Sequence, residues 1–114
     1  MKGDGHGVQI VVEEISVGIQ SHLRALVPEH PLPLFNRASA LYFAGKNQEA
    51  LTDINKSIGI FAKSAPAFSQ RGLIYEKLGD KDKAIADFRR AIALEPNFKE
   101  AADGLIRLGQ RPRR

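Results

Sequence analysis

Residues 65–98 read APAFSQRGLIYEKLGDKDKAIADFRRAIALEPNF. Ala67, Phe68, Gly72 and Tyr75 recur at three- and four-residue steps, which places them on one face of a helix. Gly79-Asp80 breaks the pattern. Glycine accepts the left-handed conformation that closes a helix, and Asp80 can accept a bond from the free N–H groups that open the next one. Ala84, Ile85, Phe88, Ala91, Ile92 and Leu94 make a second stripe. Pro96 ends it, because a proline steers the residue before it, Glu95, away from helical geometry. The stretch is a helix pair.

Sliding the chain by thirty-four residues reproduces the pair. Arg37 falls on Arg71, Gly45 on Gly79, Ala50 on Ala84, Asp53 on Asp87 and Ile58 on Ile92. Near-matches fill the apolar positions in the same register: Ala38 with Gly72, Leu41 with Tyr75, Leu51 with Ile85, Ile54 with Phe88. Self-similarity at such a period is the mark of stacked helical units. Ala38, Gly72, Ala50 and Ala84 are small where helices must approach closely, and Ile54 and Phe88 are large enough to fill the space between pairs.

The motif Phe68-x2-Arg71-Gly72-x2-Tyr75, then Ala84-x3-Phe88, then Pro96, resembles the tetratricopeptide repeat closely. Arg71 stands where the family usually carries leucine. The unit before it, with Leu34, Ala38, Leu41, Gly45, Ala50, Ile54 and Ala62 in the matching places, resembles the family less. Ala62 replaces the usual proline, which implies a less sharp join to the second pair. The resemblance implies an all-α fold: a right-handed superhelix of antiparallel helix pairs, an α-solenoid. Repeat 1 spans residues 31–64 and repeat 2 residues 65–98. Residues 99–114 make a capping helix and a basic tail, with Ala101, Ala102, Leu105, Ile106 and Leu108 as its apolar residues and Lys99, Asp103, Arg107 and Gln110 on the exposed side.

Residues 1–30 form a flexible start and an amphipathic segment. Val8, Val11, Val12, Ile15, Ile19, Leu23 and Leu26 fall on one helical face, although the alternation in Val8-Gln9-Ile10 and the β-branched content also suit a strand. The helical reading makes this a worn leading half-repeat. Its missing partner helix would leave an apolar face that a homodimer could cover.

Members of the family present a concave wall built from the first helix of each pair. By that resemblance the inward positions are Leu32, Phe35, Asn36, Ser39, Tyr42 and Phe43 in the first unit, Ser69, Gln70, Leu73, Glu76 and Lys77 in the second, and Asp103 and Arg107 from the capping helix. Such a wall suits a peptide or a helix of another protein, with aromatic anchors and amides for its backbone. Phe35 and Phe43 have a second reading as core beneath the N-terminal segment. Arg37 and Arg71 have one as partners of Asp53 and Asp87. Asn36-Arg37-Ala38 resembles part of the carboxylate clamp of some repeat domains, but Pro66 and Gln70 stand where that clamp places cations.

Composition sets the remaining limits. The 114 residues fit one domain, 43% of them hydrophobic and 26% charged, with no cysteine for disulfides or thiolate metal sites. No apolar run is long enough to span a membrane, the apolar start is too short for a secretory signal, and Lys2 occupies the position that myristoylation requires of glycine. The expected setting is cytoplasmic. His6, His22 and His30 have no metal-ligand spacing, no serine has a histidine base near it, and Gly3-x-Gly5-x-Gly7 follows no strand. No enzyme, cofactor or metal site is expected. The net charge of +4 draws on Arg111, Arg113 and Arg114. Asp80, Asp82 and Asp87 interrupt Lys81, Lys83, Arg89 and Arg90, so no nucleic-acid or membrane surface is expected.

Overall fold

The computed structural model describes residues 30–111. They form five helices in chain order: α1 (Pro31–Phe43), α2 (Asn47–Ile60), α3 (Ala65–Leu78), α4 (Lys81–Leu94) and α5 (Lys99–Arg107). Among the described residues there is no strand. The helices pack as α1 on α2 and α3 on α4, with α2 against α3, and α5 closing over α3 and α4. This is an all-α solenoid of antiparallel pairs. The N-terminal segment that the sequence reads as a half-repeat, and the last three residues of the tail, lie outside the described residues.

Local chemistry sets each boundary. The glycines that punctuate the repeats adopt left-handed backbone, φ 81° at Gly45 and φ 85° at Gly79, where a side chain would be strained. Behind them Lys46 N–H bonds Leu41 C=O at 2.8 Å, and Asp80 N–H bonds Tyr75 C=O at 2.9 Å. Both satisfy carbonyls that the helix end leaves free. Asp80 Oδ1 then accepts from Lys83 N–H, and Ser64 Oγ from Ala67 N–H, each at 3.2 Å.

The join between the repeats differs from the expectation. Ala62 replaces the family's proline, yet α2 ends as cleanly as α4: Phe61 is extended at φ −143°, beside φ −138° for Glu95. The Ser64 cap and Pro66 in the first turn of α3 fix where the next helix starts, so the stop needs no proline of its own.

The core runs along the solenoid axis. Ala38, Ala50, Ile54, Ile74, Ala84, Phe88, Ala91, Ala101 and Leu105 are wholly buried. Two arginine–aspartate pairs brace it at the same place in each repeat. Arg37 bonds Asp53 through Nε at 2.6 Å and Nη2 at 2.9 Å, and Arg71 bonds Asp87 at 2.8 and 2.9 Å. Both aspartates are buried. The pairing reading of these arginines is thus the one the fold adopts.

Candidate functional site

The parallel first helices α1 and α3, with the start of α5, bound a cleft of about 220 Å³. Phe35, Ser39, Tyr42 and Phe43 line it from α1, Ser69, Gln70 and Leu73 from α3. Pro66, Phe98 and Glu100 complete the lining. All seven of these α1 and α3 residues are inward positions that the family resemblance implies. Asn36 and Lys77 are exposed but do not line this cleft, and Arg107 stands outside its lining. Pro66, Phe98 and Glu100 are not among those inward positions, although the register holds the signal for two of them: Leu32, Pro66 and Glu100 are thirty-four residues apart.

Phe35 is half-buried, packs against the core and lines the cleft, while the N-terminal segment of its second reading lies outside the described residues. Phe43 is 84% exposed and stands outside the core that the described helices form. Its ring meets that of Tyr42 edge to face at 5.2 Å, an arrangement that aromatic quadrupoles favour. The hydroxyl of Tyr42 is pushed above its ordinary pKa by burial and by the Glu76 carboxylate, with the Arg107 guanidinium opposing.

Arg107 crosses from α5 to α3 and grips Glu76 with two bonds, Nε to Oε2 at 2.9 Å and Nη2 to Oε1 at 2.8 Å. This hydrogen bonding raises the Arg107 pKa. Asp103 is taken up by Lys99 at 2.8 Å, one helical turn away. Gln110, placed on the free polar side by the sequence, instead accepts from Arg89 Nη2 at 2.9 Å and is half-buried. The free side of α5 presents Ile106, 61% exposed.

The floor of the cleft carries polar atoms that the fold leaves unpaired. Gln70 Nε2 donates to Ser39 Oγ. Gln70 Oε1 and Ser69 Oγ are buried and have no partner among the described residues. A second, almost wholly apolar pocket of about 320 Å³ opens beside the cleft and shares Phe35 and Pro66 with it. Leu32 and Phe61, about half exposed each, form its walls. Among the described residues no group of histidines and carboxylates could hold a metal ion, and no helix is long and apolar enough to cross a membrane.

The tetratricopeptide repeat family model matches residues 65–98. The Arabidopsis OM64 TPR domain superposes with a TM-score of 0.70 at 28% identity, covering 92% of this chain and 87% of that one. The chain belongs to the tetratricopeptide repeat family. It carries two full repeats and a closing helix. Tetratricopeptide repeat protein 36 of Xenopus tropicalis is 40% identical over 78 residues, which is 65% of this chain and 39% of that protein. The Hsp70-Hsp90 organizing protein of Triticum aestivum is 29% identical over 92 residues, 81% of this chain and 16% of that protein. The chain thus spans well under half the length of these curated relatives.

Proposed function

We propose that this tetratricopeptide repeat chain is a protein–protein interaction module whose cleft holds a segment of another protein. One observation carries the reading. A cleft bounded by the two first helices and the start of the closing helix keeps Tyr42 half-buried and Phe43 84% exposed as a paired aromatic edge. Contiguous exposed aromatic surface beside buried polar atoms is the composition of an anchor pocket. The similarity to a protein named an organizer of Hsp70 and Hsp90 supports the same class of role, as does that to human RNA polymerase II-associated protein 3, 32% identical over 83 residues. The module holds its partner and carries out no reaction on it.

The test is a double substitution. Tyr42→Ala with Gln70→Ala removes the aromatic edge and the amide from the cleft while leaving Phe88 and Ile54 in place. Captured partner should fall in a pull-down with the full chain as bait, while the helical circular-dichroism signal at working temperature stays. Unaltered capture by the double variant sinks the groove assignment.

A further inference from the structure

The next step rests on the groove reading above and concerns which segments the groove admits. Its charge is the first guide. Glu100 is exposed and is the cleft's sole charged lining residue among those described. Arg107, on the same helix, spends Nε and Nη2 on the two oxygens of Glu76 and stands outside the cleft lining. A carboxylate entering the cleft would meet the field of Glu100 and no unpaired cation in the lining. A lysine or arginine would meet a complementary charge.

The unpaired oxygens are the second guide. Gln70 is 8% exposed and Ser69 3%, and Gln70 Oε1 and Ser69 Oγ lack partners among the described residues. A buried acceptor left unsatisfied costs about 1–3 kcal/mol, so a ligand that brings a donor recovers part of that loss. The terminal amide torsion of glutamine is broad, so turning Oε1 toward the cleft that the residue lines would exchange the Nε2 bond to Ser39 for one to a ligand. A helical ligand consumes its own backbone N–H groups. An extended segment carries unspent N–H groups along its length.

Continuity is the third guide. The cleft and the apolar pocket walled by Leu32 and Phe61 share Phe35 and Pro66. The wall from Leu32 to Phe43 is about 16 Å of helix, which about five extended residues span.

We infer that the groove takes an internal, extended stretch of about five residues: apolar side chains fill the Phe43 cleft and the Leu32–Phe61 pocket, a lysine or arginine faces Glu100, and one backbone N–H donates to Gln70 Oε1. Acidic C-terminal tails are rejected.

The full chain is panned against two random heptapeptide phage libraries, one displaying internal segments and one displaying free C-termini. The internal library should enrich peptides with two separated apolar residues and a basic one. Glu100→Lys, at an exposed position, should abolish the basic preference. In a synthetic copy of an enriched peptide, methylating one internal amide nitrogen should weaken binding about tenfold. That loss should vanish on Gln70→Met. If this buried variant fails to fold, the methyl scan on the unmodified chain still decides. Enrichment of acidic free C-termini, tighter binding by a helix-stapled copy, or a flat methyl scan overturns the inference and leaves the groove reading standing when Tyr42→Ala with Gln70→Ala still lowers binding. Enrichment from neither library overturns both.

Discussion

The ring of Phe88 rests against the Cα of Gly72, where an added Cβ would stand 2.7 Å from its Cε1 atom. On the far side the ring meets Gly104, where a Cβ would stand 2.6 Å from Cε2 and Cζ. Phe88 is wholly buried between them and has nowhere to retreat. Gly72→Ala should therefore destabilise by about 1–2 kcal/mol, although alanine is the better helix former by about 1 kcal/mol. Gly72→Leu should cost more. Gly59 makes the control, because a Cβ there meets nothing within 4 Å. Gly59→Ala should stabilise by about 0.5–1 kcal/mol. Urea denaturation of the variants checks the opposite signs. A neutral Gly72→Ala would contradict the account of the α3–α4–α5 packing.

The two arginine–aspartate braces should not be equal. Arg71 is shielded, its side chain 23% exposed, while that of Arg37 is 65% exposed. Arg71 also donates to Asn55 Oδ1 at 2.9 Å and lies over the rings of Phe68 and Tyr75 at 5.4 and 5.8 Å. Arg71→Met leaves buried Asp87 without its cation and should cost about 2 kcal/mol. Arg37→Met, screened by water, should cost clearly less. Equal shifts in the urea midpoint would show that burial does not set the difference.

Acid should find the weaker brace through Asp53. Hydrogen bonds from Arg37 hold the Asp53 carboxyl below its ordinary value of 3.8, against the opposing effect of burial. In the interval between the depressed folded value and 3.8, the unfolded chain binds the extra proton, so stability rises with pH there. This contribution is complete above about pH 5 and is lost as pH falls through the folded value. The midpoint of thermal unfolding, followed from pH 6 to pH 2, should fall less steeply for Asp53→Asn than for the unmodified chain. Parallel curves would remove Asp53 from the acid transition.

Much of this fold was legible because the repeat compares the chain with itself. Gly45 and Gly79, or Arg37 and Arg71, explain each other by occupying the same place twice. Where the chain has no internal copy, the reading weakened. Gln110 looked like a surface residue because its partner, Arg89, lies in another helix and leaves no periodic trace. The Arg107–Glu76 bridge was hidden for the same reason: each side chain is unremarkable until α5 is laid against α3. Ala62 misled in the opposite direction, since a missing proline signals a missing stop only if nothing else supplies one, and here Ser64 and Pro66 do. The cleft followed from the register as far as α1 and α3 supply it. Phe98 and Glu100 enter through the turn into α5, whose angle the sequence alone does not set.

Phe43 offers the sharpest separation of binding from folding. It is 84% exposed and packs mainly on the edge of Tyr42, so Phe43→Ala should change stability by no more than about 0.5 kcal/mol. An aromatic anchor removed from a binding cleft usually costs about 2 kcal/mol, so affinity for a groove ligand should fall more than tenfold. Ile106 supplies the matched comparison: it is 61% exposed, lies on α5 and is absent from the cleft lining. Ile106→Ser removes exposed apolar surface away from the cleft and should leave affinity unchanged. Isothermal titration with a peptide selected on the unmodified chain measures both. If the two variants weaken binding alike, general surface apolarity rather than the Tyr42–Phe43 edge holds the partner. If neither does, the ligand lies elsewhere on the solenoid.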